Sequence, residues 1–384
     1  MNALGIGKPR VSNSTIRALL ALGVAAVLTA CSWLFPPPAG IGPQVAWSEL
    51  PGWEADHQAK AWPALLNGCA KLPARDAAWV PICLAAQALP PVPDDATARQ
   101  FFEQHFRAHE MYGPDGQREG LITGYYEPVL NGSLTPDARF RFPLYRRPDN
   151  LVTIDLGSLY PQLRGKLLRG RLDGDRVVPY FSRRQIGDSS APLQGQELLW
   201  VDDPVALFML QIQGSGLVRL TDGSLIAVGY ADQNGYPYQA IGQRLVQMGA
   251  LKPDAVTLET IRQWLAAHPD QAESVLNSNP SYVFFRLRDS SLPGPIGSLQ
   301  VPLTPQRSIA VDSADIPLGM PVWIDTTLPG DTHPYQRLVM AQDTGGAIKG
   351  DVRADLFFGR GSAAEQSAGA MKQPGRLYVL LPNP

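Results

Sequence analysis

The chain has 384 residues, with 33 basic against 35 acidic side chains and a formal net charge of −2. It carries 36 glycines and 36 prolines, well above their usual combined share of about 12%. Both residues break helix interiors, so a helical bundle or coiled coil is excluded as the main architecture. Charged residues make up only 18% and form no long like-charge block, which excludes a disordered tail and a basic nucleic-acid arm.

Residues 1–30 read as an address rather than as fold. Lys8, Arg10 and Arg17 flank and precede an apolar run of 11 residues, Ala18 to Leu28, too short to span a bilayer that needs about 20 helical residues. The run ends Leu28-Thr29-Ala30-Cys31, which resembles the small-residue-then-cysteine end of a bacterial lipoprotein signal. That resemblance implies cleavage before Cys31 and acylation of its thiol. An ordinary secretory signal is the alternative, and either places the mature chain outside the cytoplasm. Ser32, rather than Asp, follows the cysteine and points to the inner leaflet of the outer membrane. Loss of residues 1–30 removes three basic groups, leaving 30 against 35 acidic ones. A net negative chain does not favour nucleic acid as a partner. Pro36-Pro37-Pro38 reads as part of an extended tether over residues 31–50.

Setting Cys31 aside leaves Cys69 and Cys83, which an oxidising compartment allows to form a disulfide, two buried thiols being the alternative. Metal ligation is not expected: there is no CxxC or HExxH pattern, and the five histidines are scattered.

Asp94 to Tyr112 is expected as a helix, from the stripe of Ala98, Phe101, Phe102, Phe106 and Met111. Thr123 to Leu130 is expected as a strand. From Phe142 short strands and Gly turns take over, with Asp-Gly hairpin turns at Leu172 to Asp175 and Leu220 to Ser224. Asp203-Pro204 starts a short helix through Leu210. Tyr238 to Met248 and Thr257 to His268 are two further helices. Beyond Ser281 strands return at Tyr282 to Arg286, Ser308 to Val311, Val322 to Ile324, Leu338 to Ala341 and Leu377 to Leu381. This order points to a discontinuous first domain, residues 51–142 and 290–384, interrupted by an inserted β-rich domain at 143–289.

Cofactor signatures are absent: no GxGxxG after a strand, no GxxxxGK[ST] and no GxSxG. Gln213-Gly214-Ser215-Gly216 offers a turn at which a ligand can approach the backbone. The richest segment is Asp343 to Gly359, which carries Asp343, Asp351 and Asp355 among glycines. Asp355 precedes Leu356, Phe357 and Phe358. An acid among apolar neighbours is desolvated, which raises its pKa toward the range where it can donate a proton. The alternative for each Asp is a turn carboxylate bonded to its own backbone.

Four ordered blocks then resemble the membrane-bound lytic murein transglycosylase A family. They are Thr123-Gly124-Tyr125-Tyr126-Glu127-Pro128; Gln211 to Gly216; Tyr236-Pro237-Tyr238 with Asn279 to Phe285; and Asp343 to Gly359. The resemblance implies a mainly β fold with a few helices, a double-psi β-barrel domain with a second β-barrel domain inserted. It implies cleavage of the β-1,4 bond between N-acetylmuramic acid and N-acetylglucosamine in peptidoglycan. No water and no cofactor take part, the products are 1,6-anhydromuramyl sugars, and one Asp serves as acid and base. By similarity that residue is Asp355, although Ala354 stands where the family often has an aromatic. Asp343 is expected in support. Thr123, Tyr125, Tyr126, Glu127, Gln213, Gly214, Ser215, Tyr236, Tyr282 and Lys349 are candidates for binding substrate. The tyrosines would pack on sugar faces, Gln213 and Ser215 would meet N-acetyl groups, and Lys349 would meet a substrate carboxylate or hold Asp343. Partners would be peptidoglycan glycan strands, the lipid leaflet through Cys31, and cell-wall synthesis proteins. Two other readings stand beside this one: a non-catalytic, expansin-like glycan binder, and a muramidase hydrolase using a carboxyl pair such as Glu127 and Asp355.

Overall fold

The computed structural model describes residues 39–384 apart from Ser189. The expected signal, Cys31 and the start of the tether lie outside the described residues. The fold is mixed α/β with substantial sheet, in two units, and so richer in helix than the sequence led us to expect.

The chain enters the first unit at once. β1 (Gly40–Val45) is a strand, so the expected tether does not extend to residue 50. Three helices follow, α1 (Trp62–Cys69), α2 (Trp79–Ala88) and α3 (Asp95–His105). Asp94 caps α3 by accepting a 2.7 Å bond from the Thr97 N–H. The helix expected from Asp94 to Tyr112 stops at His105, and Phe106–Tyr112 is strand β2. Phe106 and Met111 sit at helical spacing by coincidence. Phe106, Ala108 and Glu110 are buried in alternation, at the spacing of a strand. A disulfide joins Cys69 to Cys83, clamping α1 to α2 with a contribution of about 3 kcal/mol for a loop of this size.

β3 (Gly120–Glu127) ends at Pro128, and β4 (Val129–Ser133) starts immediately beyond it. The single strand expected over Thr123 to Leu130 is thus two strands in different sheets. β4 joins β5 (Phe142–Tyr145), β9 (Glu197–Val201), β10 (Ser215–Arg219), β11 (Leu225–Gln233) and β12 (Val283–Arg288) in a six-stranded sheet ordered β12-β11-β10-β4-β9-β5. The passage into the second unit therefore falls at Pro128, earlier than residue 143. β6 (Val152–Asp155), β7 (Leu167–Asp173) and β8 (Arg176–Val178) form a separate three-stranded sheet. This unit also carries the short helix α4 (Arg183–Gly187) and α5 (Pro204–Gln213). A layer of helices completes it: α6 (Ile241–Gln247), α7 (Leu258–Ala267) and α8 (Pro269–Asn277).

The chain returns through β12 to β13 (Ser308–Val311), β14 (Pro321–Thr327), β15 (Pro334–Asp343), β16 (Arg353–Arg360), helix α9 (Gly361–Ala370) and β17 (Lys372–Pro382). The first sheet runs β1-β2-β17-β14-β15-β13-β16-β3, and β3 pairs again with β17. Six strands, β17-β14-β15-β13-β16-β3, thus close a ring. Only β13–β15 and β16–β3 pair in parallel there. The core between this sheet and the first three helices is built on Trp62, Trp79, Phe102 and Trp323, each contributing on the order of 2 kcal/mol or more through burial.

Candidate active site

The site is built on one rung of the closed ring. Ala310 of β13 pairs with Asp343 on one side and Asp355 on the other, and Asp355 pairs in turn with Thr123 of β3. With neighbouring strands about 4.8 Å apart, the two aspartates stand on strands separated by roughly 10 Å. Alternation along β16 sends Ala354, Leu356 and Phe358 into the main core and leaves Asp355 and Phe357 on the opposite face. Thr123 and Tyr125 share that face on β3, and the Tyr125 ring lies against Phe357 with centroids 5.3 Å apart. Gly124 between them lets α9 close on the sheet: a Cβ there would come within 2.6 Å of the Phe358 ring and 2.9 Å of Ala368.

Burial pushes the Asp355 carboxyl up to about 6. The Thr123 hydroxyl and the Arg353 guanidinium pull it down, and the nearby Asp343 charge pushes it up. Thr123 is fixed in direction. Its Oγ1 accepts a 2.8 Å bond from the Arg353 side chain and donates to Asp355 Oδ1. A guanidinium only donates, so the threonine proton must face the aspartate. Oδ1 is thereby engaged as an acceptor, and Oδ2 is the oxygen left to carry an exchangeable proton.

Asp343 is held differently. Its Oδ1 accepts from the Ser298 N–H at 2.9 Å, the Ser298 hydroxyl at 3.0 Å and the Thr344 N–H at 2.9 Å. Its Oδ2 accepts from the Tyr125 hydroxyl at 3.1 Å. Burial raises its carboxyl, and these donors oppose the rise. Tyr125 is itself pushed well above its ordinary value by burial and by the two aspartates. It remains a neutral donor at any working pH.

Not all of the expected residues join this cluster. Gln213 comes close, its Oε1 accepting from the Tyr126 N–H of β3 at 3.2 Å. Its position follows from α5. Asp203 caps that helix with a 2.8 Å bond from the Val205 N–H, and Pro204 starts it. Gly214 ends it at a φ of 74°, which costs glycine little. Gly214 and Ser215 then lead into β10. Tyr126 is buried, with its hydroxyl on Glu365. Tyr282 is buried among Tyr145, Tyr180 and Phe284, so neither ring offers a face to a sugar. Tyr236 is half-buried in the loop after β11. Lys349 is exposed and pairs with Asp312 at 3.2 Å, not with Asp343. Glu127 is fully buried between the guanidinium groups of Arg288 and Arg360. Each of its oxygens meets a guanidinium, one from Arg288 and one from Arg360.

Three partners were not expected from the sequence. Ser298 stands 45 positions from the aspartate it holds, and nothing local marks it. Arg288 is likewise remote from Glu127. Arg353 had a readable signal, since it lies two residues before Asp355 and a strand puts both on one face.

Residues 121–286 match the family model of the MltA specific insert domain, and residues 307–381 match that of the 3D domain. The chain is 31% identical over 298 residues to the membrane-bound lytic murein transglycosylase A of Vibrio cholerae, covering 75% of this chain and 71% of that protein. It superposes on the crystal structure of MltA from Neisseria gonorrhoeae with a TM-score of 0.77 and 35% identity, covering 90% of this chain and 97% of that one. It superposes on Escherichia coli MltA with bound chitohexaose with a TM-score of 0.69 and 26% identity, covering 91% and 96%. With both units matched along nearly their whole length, the chain belongs to the membrane-bound lytic murein transglycosylase A family.

Proposed function

We propose that this protein is a peptidoglycan lytic transglycosylase in which Asp355 alone serves as acid and base. The observation that carries the reading is the Asp355 carboxyl itself, lifted to about 6 by burial with one oxygen occupied by Thr123. Such a group is partly protonated near neutral pH, as an acid catalyst must be. Asp355 Oδ2–H gives its proton to the bridging oxygen as the bond from muramic acid C1 to that oxygen breaks. The muramic C6 hydroxyl then forms a bond to C1, and the Asp355 carboxylate takes the hydroxyl proton, restoring the starting acid. No water is consumed, and the product carries a 1,6-anhydro ring. A hydrolase needs a second carboxyl to handle water or a covalent intermediate. Here the nucleophile is tethered to the reacting sugar at high effective concentration. Asp343, held by four donors, is suited to stabilise positive charge developing at C1.

The finer reading of the architecture is a double-psi β-barrel for the closed ring, with a second barrel inserted. It is supported by ring closure and by the two parallel pairs. The glycan would lie between the units, over Tyr125, Gln213 and Ser215. A relative that takes chitohexaose supports a polymeric sugar as the ligand. Relatives described as membrane-bound support anchoring through Cys31 at the periplasmic face of the outer membrane.

The test is digestion of purified sacculi, with released muropeptides weighed by mass spectrometry. Anhydro ends are expected. Reducing ends would replace this mechanism with hydrolysis, and binding without release would replace it with a non-catalytic role.

A further inference from the structure

The inserted unit contains a hollow of about 450 Å3 lined by Tyr238, Gln239, Gln243, Arg244, Gln247 and Ser278, with Ala240 between them. It is built from the loop after β11, helix α6 and the residue that ends α8. Gln243 and Gln247 lie one turn apart on one face of α6, while Ile241 and Leu245 bury the other face in the helical core. None of the lining residues is acidic. Arg244 is exposed and makes no ion pair among the described residues. A bare guanidinium facing an acid-free hollow is a fork suited to a carboxylate.

A second cation stands beside the hollow. Arg183 is only 8% exposed. It donates to the carbonyls of Asn279 at 3.0 Å and Ser281 at 2.6 Å and stacks over Phe208 and Tyr282. No carboxylate pairs with it among the described residues. A buried cation without a counter-charge is costly, and it projects positive potential through low-dielectric surroundings. The Asn279 carbonyl that holds it belongs to the residue after Ser278, on the wall of the hollow. Around these two charges, three glutamine amides offer both donors and acceptors, the complement of peptide groups.

We propose that this hollow binds the carboxylate-bearing stem peptide of the wall polymer, with Arg244 on the carboxylate and the glutamines on the peptide amides. The ligand class rests on the reading of the chain as a peptidoglycan enzyme. A strand held by a peptide as well as by its sugars would dissociate more slowly than either contact alone allows.

The experiment titrates isotope-labelled protein with the free stem tetrapeptide, without any sugar, and follows amide resonances. Shifts are expected at Gln243, Gln247 and Ser278, and a C-terminally amidated, ester-blocked peptide is expected not to cause them. In Arg244→Gln the affinity should fall about tenfold, the order of one charge-assisted hydrogen bond. The position is exposed, so the fold should tolerate the change. Absence of shifts at those residues, or equal binding by Arg244→Gln, overturns the proposal. Cleavage of peptide-free glycan by the unaltered protein is measured in parallel. Cleavage without peptide binding sinks the hollow and leaves the transglycosylase reading standing, whereas peptide binding without cleavage does the reverse.

Discussion

Two carboxylates on the same β3–β16 pair are buried to opposite effect. Asp355 pairs with Thr123 in the middle of that pair, and Glu127 pairs with Arg360 at its end. Glu127 meets a guanidinium on each oxygen, so its burial is compensated and it serves as a structural anchor. The anchor ties together the strand leaving the first unit, the strand returning to it through Arg288, and the end of the strand that carries Asp355. Asp355 meets one hydroxyl and feels one more distant arginine. Burial there is only partly offset, and the carboxyl is held closer to its neutral form. In the proposed mechanism, what separates the acid from the anchor is the number of cations within reach, not depth in the protein.

The largest expected effect tests that contrast directly. Asp355→Asn removes the transferable proton but keeps shape, and release of anhydro-muropeptides should fall by about 10³-fold or more. Full activity in that variant would break the assignment. Its stability should move the other way. A carboxyl raised to about 6 in the folded protein favours folding while it is neutral, and that advantage is lost as pH rises from the unfolded value through 6. Asp355→Asn should therefore melt above the parent protein at pH 7 and gain less at pH 4, as measured by thermal denaturation at both pH values. The same acid-to-amide change at Glu127 should have the opposite sign. Glu127→Gln leaves two guanidinium groups without their partner and should cost about 3–5 kcal/mol in denaturant unfolding. A neutral outcome there would mean that the two ends of the strand pair do not differ as described.

Much of this contrast was legible in the sequence, but only one half of it. Asp355 could be picked out because apolar residues follow it in the chain, although the strand sends Leu356 and Phe358 to the far face and only Phe357 shares its side. Glu127 could not, because Arg288 and Arg360 reach it from 161 and 233 positions away. The same distinction explains the fold. The Asp203-Pro204 helix start and the Asp-Gly hairpins follow from single-residue preferences and occur where expected. The end of α3 and the division at Pro128 do not. Phe106–Tyr112 becomes a strand because β1 and β17 flank it, and Val129–Ser133 changes sheets because β9 and β10 receive it. Pairing partners that distant leave no periodic mark. The aromatic candidates divide likewise: Tyr125 and Tyr282 look alike in the chain, and only packing shows that the first bonds Asp343 while the second is enclosed.

The smallest effects provide the finest test of what sets the Asp355 proton. Activity that needs the protonated acid should decline as pH rises through about 6, a limb readable from the pH dependence of kcat/KM on soluble glycan. Thr123 stabilises the carboxylate by donating to it, so Thr123→Val removes a lowering influence and should carry the limb upward. Asp343 raises the same carboxyl through charge repulsion, so Asp343→Asn should carry the limb downward. Its rate should also drop, since the proposed mechanism uses that charge to stabilise C1. The two variants alter side chains on opposite sides of Asp355 on one rung and must displace the limb in opposite directions. If both displaced it the same way, the limb would belong to some group other than Asp355, and the asymmetry between the two buried acids would no longer account for which of them reacts.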